Sequence, residues 1–303
     1  MAIKLKPIDQ QIIVITGASS GIGLATAETA ARKGAKVVLA ARSTDALNEI
    51  VERINSTGGQ AVAVTCDVAD RAQVERVAQT AVERFGRIDT WVNDAGVSVY
   101  GRLDEISEED SRKLFDTNFW GVYNGSLVAL PYLKVNGGAI INLGSEVSEA
   151  VIPLQGIYAA SKHAVKGFND ALRVEVEEVD GLPVSITLVQ PTATDTPWPQ
   201  HARNYMGQEP KLPTPMIEPQ QVADAILDAA VNPQRHVKVG MMAKVNTFVA
   251  KTVPALGDKM AGKQVDRQQY DERPRNPDGA LHEPSETTGV VGQTHGTGGR
   301  EAK

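Results

Sequence analysis

The 303-residue chain predicts a doubly wound α/β fold, a mainly parallel seven-stranded sheet with helices on both faces. Three observations predict it. Seven short runs are rich in apolar residues, the first three of them (Ile12–Ile15, Val37–Ala41 and Ala61–Val64) apolar throughout, which suits strands covered on both sides. Segments with helical spacing stand between them. A glycine-rich turn joins the first run directly to the first helical segment.

The first strand is Ile12–Ile15, all β-branched. It runs into Thr16-Gly17-Ala18-Ser19-Ser20-Gly21-Ile22-Gly23, with a helix from Leu24. The second strand is Val37–Ala41. After it Leu47, Ile50, Val51 and Ile54 fall on one helical face. The third strand is Ala61–Val64. Asp70 and Gln73 then have capping-box spacing, opening a helix whose buried face is Val74, Val77, Ala78, Ala81, Val82 and Phe85. Gly34, Gly58 and Gly86 stand where helices should end. Ile88–Val92, Ala139–Leu143 and Val184–Val189 are the next strands, and Val237–Val239 is the weakest. Met241–Met260 carries an apolar stripe (Met241, Val245, Phe248, Val249, Thr252, Leu256) beside Lys244, Lys251 and Lys259, and Pro254 should kink or end it. A helix docked on its own domain or on a neighbour is expected, with contact to a membrane surface as the alternative. Residues 1–262 are therefore expected as a single domain. Residues 263–303 hold seven hydrophobic residues, three prolines and six glycines with no period. They are expected to be disordered, or an extended arm that packs on a partner.

Composition excludes several classes. Lys and Arg number 31 against 37 Asp and Glu, a formal net charge of −6, which does not suit a nucleic-acid partner. One cysteine, Cys66, excludes an internal disulfide framework and a cysteine-rich zinc site. No clustered His/Asp set suggests a metal. Met1–Pro7 lacks the apolar core of a signal peptide, and no run reaches the roughly 18 apolar residues of a membrane span. A cytoplasmic location is the expectation.

The glycine turn is the first chemical signal. A pyrophosphate needs backbone N–H donors, no Cβ in the way and the positive end of a helix. A strand running through three glycines into a helix supplies all three. The spacing is Gly-x-x-x-Gly-x-Gly, and no Gly-Lys-Ser/Thr follows, so it is not a P-loop. At these residues the chain resembles the short-chain dehydrogenase/reductase family, over about residues 9–240. The resemblance implies a Rossmann-type fold, with Gly17, Ser19, Ser20, Gly21, Ile22 and Gly23 around the dinucleotide. It implies an adenine-binding Asp67 with Val68 beside it, and a cofactor wall at Asn93, Ala95 and Gly96. Asp94 replaces the family's second asparagine, a departure expected to touch a sheet-bracing hydrogen bond rather than the cofactor site. Pro191-Thr192 stand where the family has Pro-Gly, and Pro191, Thr194 and Thr196 match positions at the nicotinamide end.

NAD enzymes usually place an acid at the end of the second strand. Here that position is Ala41, and Arg42 follows. A guanidinium can grip a 2′-phosphate with two hydrogen bonds, so NADP(H) is expected rather than NAD(H). The alternative is that Arg42 stacks on adenine or faces solvent. Ser20 is not the second cation that many NADP-preferring relatives carry.

Tyr158-Ala159-Ala160-Ser161-Lys162 puts Tyr158 and Lys162 on one helical face. Reducing a carbonyl by hydride needs a proton for the developing alkoxide. A free tyrosine, pKa about 10, is a poor base near neutrality, and a nearby ammonium lowers that value. Ser145, thirteen residues earlier at the end of a strand, can hold the same oxygen. The resemblance makes Asn118, in a long central helix, the brace of a water relay behind Lys162, and lets Lys162 and Tyr158 also contact the nicotinamide ribose. His163 faces elsewhere and is read as structural.

Residues 193–217, with five prolines, Trp198 and Tyr205, sit where the family carries a substrate lid. Glu146, Val151, Leu154, Gln155 and Trp198 are expected around the substrate. The expected function is an NADP(H)-dependent oxidoreductase acting on a small-molecule carbonyl or secondary alcohol, as a homodimer or homotetramer. The alternative is a catalytically silent nucleotide sensor or scaffold of the same fold.

Overall fold

The computed structural model describes residues 3–285 and 289–292. Its strands are β1 (Ile12–Thr16), β2 (Lys36–Ala41), β3 (Gln60–Thr65), β4 (Thr90–Asn93), β5 (Val99–Tyr100), β6 (Gly138–Leu143), β7 (Val184–Pro191), β8 (Arg203–Asn204) and β9 (His236–Val239). Its helices are α1 (Gly21–Arg32), α2 (Thr44–Ser56), α3 (Arg71–Phe85), α4 (Glu108–Phe115), α5 (Gly121–Asn136), α6 (Gly156–Arg173), α7 (Trp198–His201), α8 (Pro219–Ala229), α9 (Met241–Thr252) and α10 (Pro254–Gly262). Seven strands form one parallel sheet in the order β3-β2-β1-β4-β6-β7-β9, and β5 pairs separately with β8.

The apolar runs become strands buried on both faces because side chains alternate across the pleat. Ile13 and Ile15 pack with α1, α2 and α8 through Leu24, Leu47, Ile50 and Ile226. Val14 and Ile140 point the other way, against Val74 and Val77 of α3 and Leu133 of α5. Asp70 caps α3, accepting from the backbone N–H of Ala72 and Gln73. The reciprocal half of the capping box is missing. Gln73 Oε1 instead accepts from the Asp67 N–H at 2.9 Å, which ties α3 to the loop after β3. Gly34, Gly58 and Gly86 have positive φ just beyond α1, α2 and α3.

Two expectations change in detail. The single central helix is two, α4 and α5, joined by a π-helical turn at Asp116–Trp120. The C-terminal stripe is also two helices, α9 and α10, broken before Pro254, whose ring nitrogen has no hydrogen to donate. α9 docks on its own domain through buried Ala243 and Thr247, and Glu149 accepts from Lys238 at 3.0 Å and pairs with Lys251 at 2.8 Å. Met241 and Phe248 stay exposed. No helix among the described residues is long and apolar enough to cross a membrane.

Beyond α10 the described residues form a 3-10 turn (Val265–Gln268) and then irregular chain against their own domain, where disorder or an arm on a partner was the expectation; positions 286–288 and 293–303 of that tail lie outside the described residues. Backbone bonds, polar side chains and one buried leucine hold this strap. Asn204 N–H donates to Pro277 O at 2.8 Å, and Ala280 N–H to His201 O at 2.7 Å. Gln268 is buried and bonds Gln155 and Pro153, each at 2.8 Å. Leu281 is fully buried with Val97, Val99 and Leu114.

Candidate active site

The site lies at the carboxyl ends of β1 and β4, where the strand order reverses direction and parallel sheets open a crevice. Two adjoining cavities occupy it. One, of about 170 Å³, is lined by Gly17, Ser19, Ser20, Gly21 and Ile22 of the turn, by Arg42, Asp67 and Val68, and by Ala95, Gly96 and Thr196. The other, of about 120 Å³, holds Ser145, Tyr158, Lys162, Pro191 and Thr194. Ile22, Asp94, Gly96, Thr196 and Trp198 line both.

Two expected cofactor residues line neither cavity. Gly23 works behind the turn: a Cβ there would stand 2.3 Å from Gly17 O, so only glycine lets α1 approach β1. Asn93 braces the sheet. It donates to Asn142 Oδ1 at 2.8 Å and Ser126 Oγ at 3.2 Å, and accepts from Trp91 Nε1 at 2.8 Å. Asp94, expected to matter for bracing alone, enters the site instead. Its carboxyl lies against the start of α1, where a Cβ on Gly23 would stand 2.7 Å from Oδ2. Burial pushes its pKa up to about 7, against the pull of Lys162 and of the Gly23 N–H.

In the second cavity Ser145, just beyond the end of β6, lines the same wall as Tyr158. Its Oγ accepts from Val147 N–H at 3.3 Å, which fixes the turn after the strand. Lys162 is buried one turn along α6 from Tyr158 and donates to Leu143 O at 2.7 Å. Burial brings its pKa down to about 8, with Asp94 opposing. Lys162 is expected to pull the Tyr158 phenol down, but burial pushes that pKa up, with Ser145 pulling the other way and Asp94 and Glu146 adding to the rise. The Lys162 ammonium donates to Leu143 O and sits 5.8 Å from the Tyr158 ring centroid. Trp198 of the lid meets Tyr158 edge-on at 5.4 Å.

Asn118 lies in the π-helical turn, fully buried. It accepts from Val97 N–H at 2.8 Å and donates to Val97 O at 3.0 Å and Ser161 Oγ at 3.1 Å. It thus clamps the loop after β4 to α6. His163 bonds Ala159 O at 3.0 Å and lies outside both cavities.

Of the expected substrate neighbours, Glu146, Gln155 and Trp198 line the catalytic cavity, and Leu154 does not. Val151 lines a third, more apolar cavity of about 280 Å³ between the lid, α9 and α10. That groove shares Glu146, Ile152, Thr192, Ala193 and Pro213 with the catalytic cavity.

Arg42 is where the structure departs furthest from expectation. Its guanidinium neither stacks nor faces solvent. Nη1 donates to Leu281 O at 3.1 Å and His282 O at 3.2 Å, and Nη2 to Glu283 O at 3.3 Å and to Ala280 O. Ala280, Pro284 and Ser285 are also walls of the first cavity, and no pattern in the tail signals them. The residues fit a dinucleotide: a glycine turn at a helix N-terminus with no room for a Cβ at Gly17 or Gly23, an acid and a cation at one end, and the Tyr158 hydroxyl at the other. No group of metal-binding side chains occurs among the described residues.

Comparison with known proteins agrees with this geometry. A family profile described as short chain dehydrogenase matches residues 11–206. The chain is 43% identical to the uncharacterized oxidoreductase YxnA of Bacillus subtilis, over 91% of this chain and 78% of that one. It is similar in structure to a short-chain dehydrogenase/reductase of Burkholderia phymatum in complex with NAD, with a TM-score of 0.72 and 27% identity over 89% of this chain and 99% of that one. An alcohol dehydrogenase of Thermococcus sibiricus complexed with 5-hydroxy-NADP gives a TM-score of 0.65 and 30% identity over 76% of this chain and 94% of that one.

Proposed function

The chain belongs to the short-chain dehydrogenase family, and from that premise we propose that it interconverts a small-molecule carbonyl and its alcohol, with NADP(H) preferred over NAD(H). The observation that carries this reading is Ser145, Tyr158 and Lys162 lining one cavity that shares its wall with the glycine-turn cleft. A bound nicotinamide dinucleotide supplies or receives the hydride. Gly17–Ile22 hold its pyrophosphate on the α1 N-terminus, and Asp67 takes the adenine end.

Tyr158 Oη gives its proton to the substrate oxygen in reduction and takes it back in oxidation. Ser145 Oγ donates to the same oxygen and holds it within reach of Tyr158. Lys162 places a positive charge where a phenolate would form. Asn118 keeps α6 and the β4 loop in register. Trp198 and the lid exclude water, and the neighbouring groove suits the apolar part of a substrate. The dinucleotide preference is supported by Ala41 in place of an acid, and by Arg42 as the one lysine or arginine among the described residues lining the cleft.

Replacing Tyr158 by Phe removes the proton donor and leaves the cleft intact. The expected outcome is turnover lower by about 100-fold or more with unchanged dinucleotide affinity. Unchanged turnover would sink the assignment.

A further inference from the structure

The strap beyond α10 places its own carbonyl groups on the two donors that a phosphorylated dinucleotide needs. All four terminal N–H bonds of Arg42 go to the carbonyls of Ala280, Leu281, His282 and Glu283. Bidentate grip of a phosphate requires two such bonds, and none of the four is free while the strap is docked. At the other point the Gly21 N–H, the first of α1, donates to Gly289 O at 2.8 Å, and Ser20 and Gly289 are bridged as in a parallel sheet. That N–H belongs to the anion-binding end of the helix. The guanidinium is itself desolvated, with its pKa lowered by burial, so leaving it without acceptors is costly and either the strap or an anion must serve it.

The strap is anchored independently of these contacts. Leu281 is buried in the cluster of Val97, Val99 and Leu114. His282 Nε2 bonds Asp110 Oδ1 at 2.7 Å, and Arg203 pairs with Asp278. Anchors outside the cleft set how firmly the carbonyls hold Arg42.

The geometry points to the strap as the element that determines dinucleotide specificity: it competes with the 2′-phosphate for Arg42 and so narrows the preference for NADP(H) over NAD(H). The inference rests on the dinucleotide reading above. NADP(H) must displace the strap at Arg42 and at Gly21. NAD(H) meets the strap at Gly21 and along the shared walls of Ala280, Pro284 and Ser285 but has no phosphate to place on Arg42, so loosening the strap helps NADP(H) more.

The test is equilibrium titration of the full chain with NADPH and with NADH, in the wild type and in Leu281→Ala and His282→Ala. The second variant changes a side chain at the surface, where folding is not at stake. The expected result is NADPH binding tighter by about tenfold in both variants, with a smaller gain for NADH. Amide exchange at Ala280, whose N–H is bonded to His201 O, should rise when NADPH saturates the wild type. Both nucleotides binding with an unchanged ratio, or NADPH binding more weakly in the variants, would overturn the competition and leave the dinucleotide reading standing. Binding of neither nucleotide to any of the three chains would overturn both.

Discussion

Asp94 holds a carboxyl between two tasks. It sits against Gly23 at the start of α1, and its charge acts on Lys162. A carboxylate stabilises an ammonium and raises its pKa, so Asp94 works against the burial that brings Lys162 down to about 8. Asp94→Asn keeps the shape and removes the charge. Lys162 should then lose its proton at lower pH, and the alkaline limb of the kcat/KM profile should move down in pH. A limb that stays in place would show that Lys162 does not depend on Asp94. The sequence signals the position, because Asp94 breaks the Asn-Asn-Ala-Gly pattern, but not the task. Nothing local to residue 94 reveals that the chain folds its side chain under α1. Tyr158 and Lys162 were legible together because four-residue spacing puts them on one helix face, and Ser145 joined them through the order of the family they resemble. Arg42 was legible as a cation at the end of β2, and its four acceptors, some 240 positions away, were not.

At the scale of elements, the turn between β1 and α1 is the joint on which the site depends. α1 must start close enough to β1 to turn its first N–H groups toward the cleft, and Gly23 allows this because its missing Cβ would collide with Gly17 O. Gly23→Ala should push α1 outward and weaken NADPH binding by about tenfold or more, measured by titration of folded protein. Undiminished affinity would mean that the turn is not the pyrophosphate seat. Strands and helices here were legible because a parallel sheet buries both faces, which leaves continuous apolar runs such as Ile12–Ile15. The π-helical turn at Asp116–Trp120 was not. One extra residue in a turn barely disturbs the apolar period, yet it puts Asn118 against both backbone polar groups of Val97. The break before Pro254 was legible from the ring itself.

At the scale of the whole molecule, the chain places its dinucleotide cleft, catalytic cavity and apolar groove side by side, with the strap hydrogen-bonded along the lid. The strap escaped the sequence because it is held by backbone bonds, scattered polar side chains and one buried leucine, and none of these has a period. The central claim is that the cleft and the cavity work together to move a hydride to a carbonyl. It is tested most directly by incubating the full chain with NADPH deuterated at the nicotinamide C4 and a panel of apolar aldehydes and ketones, then reading the alcohols by mass spectrometry. Deuterium on the carbinol carbon of at least one product, absent with Tyr158→Phe, is the predicted result. Tight dinucleotide binding with no label transferred to any carbonyl would contradict the account and leave a protein that binds the nucleotide without using it.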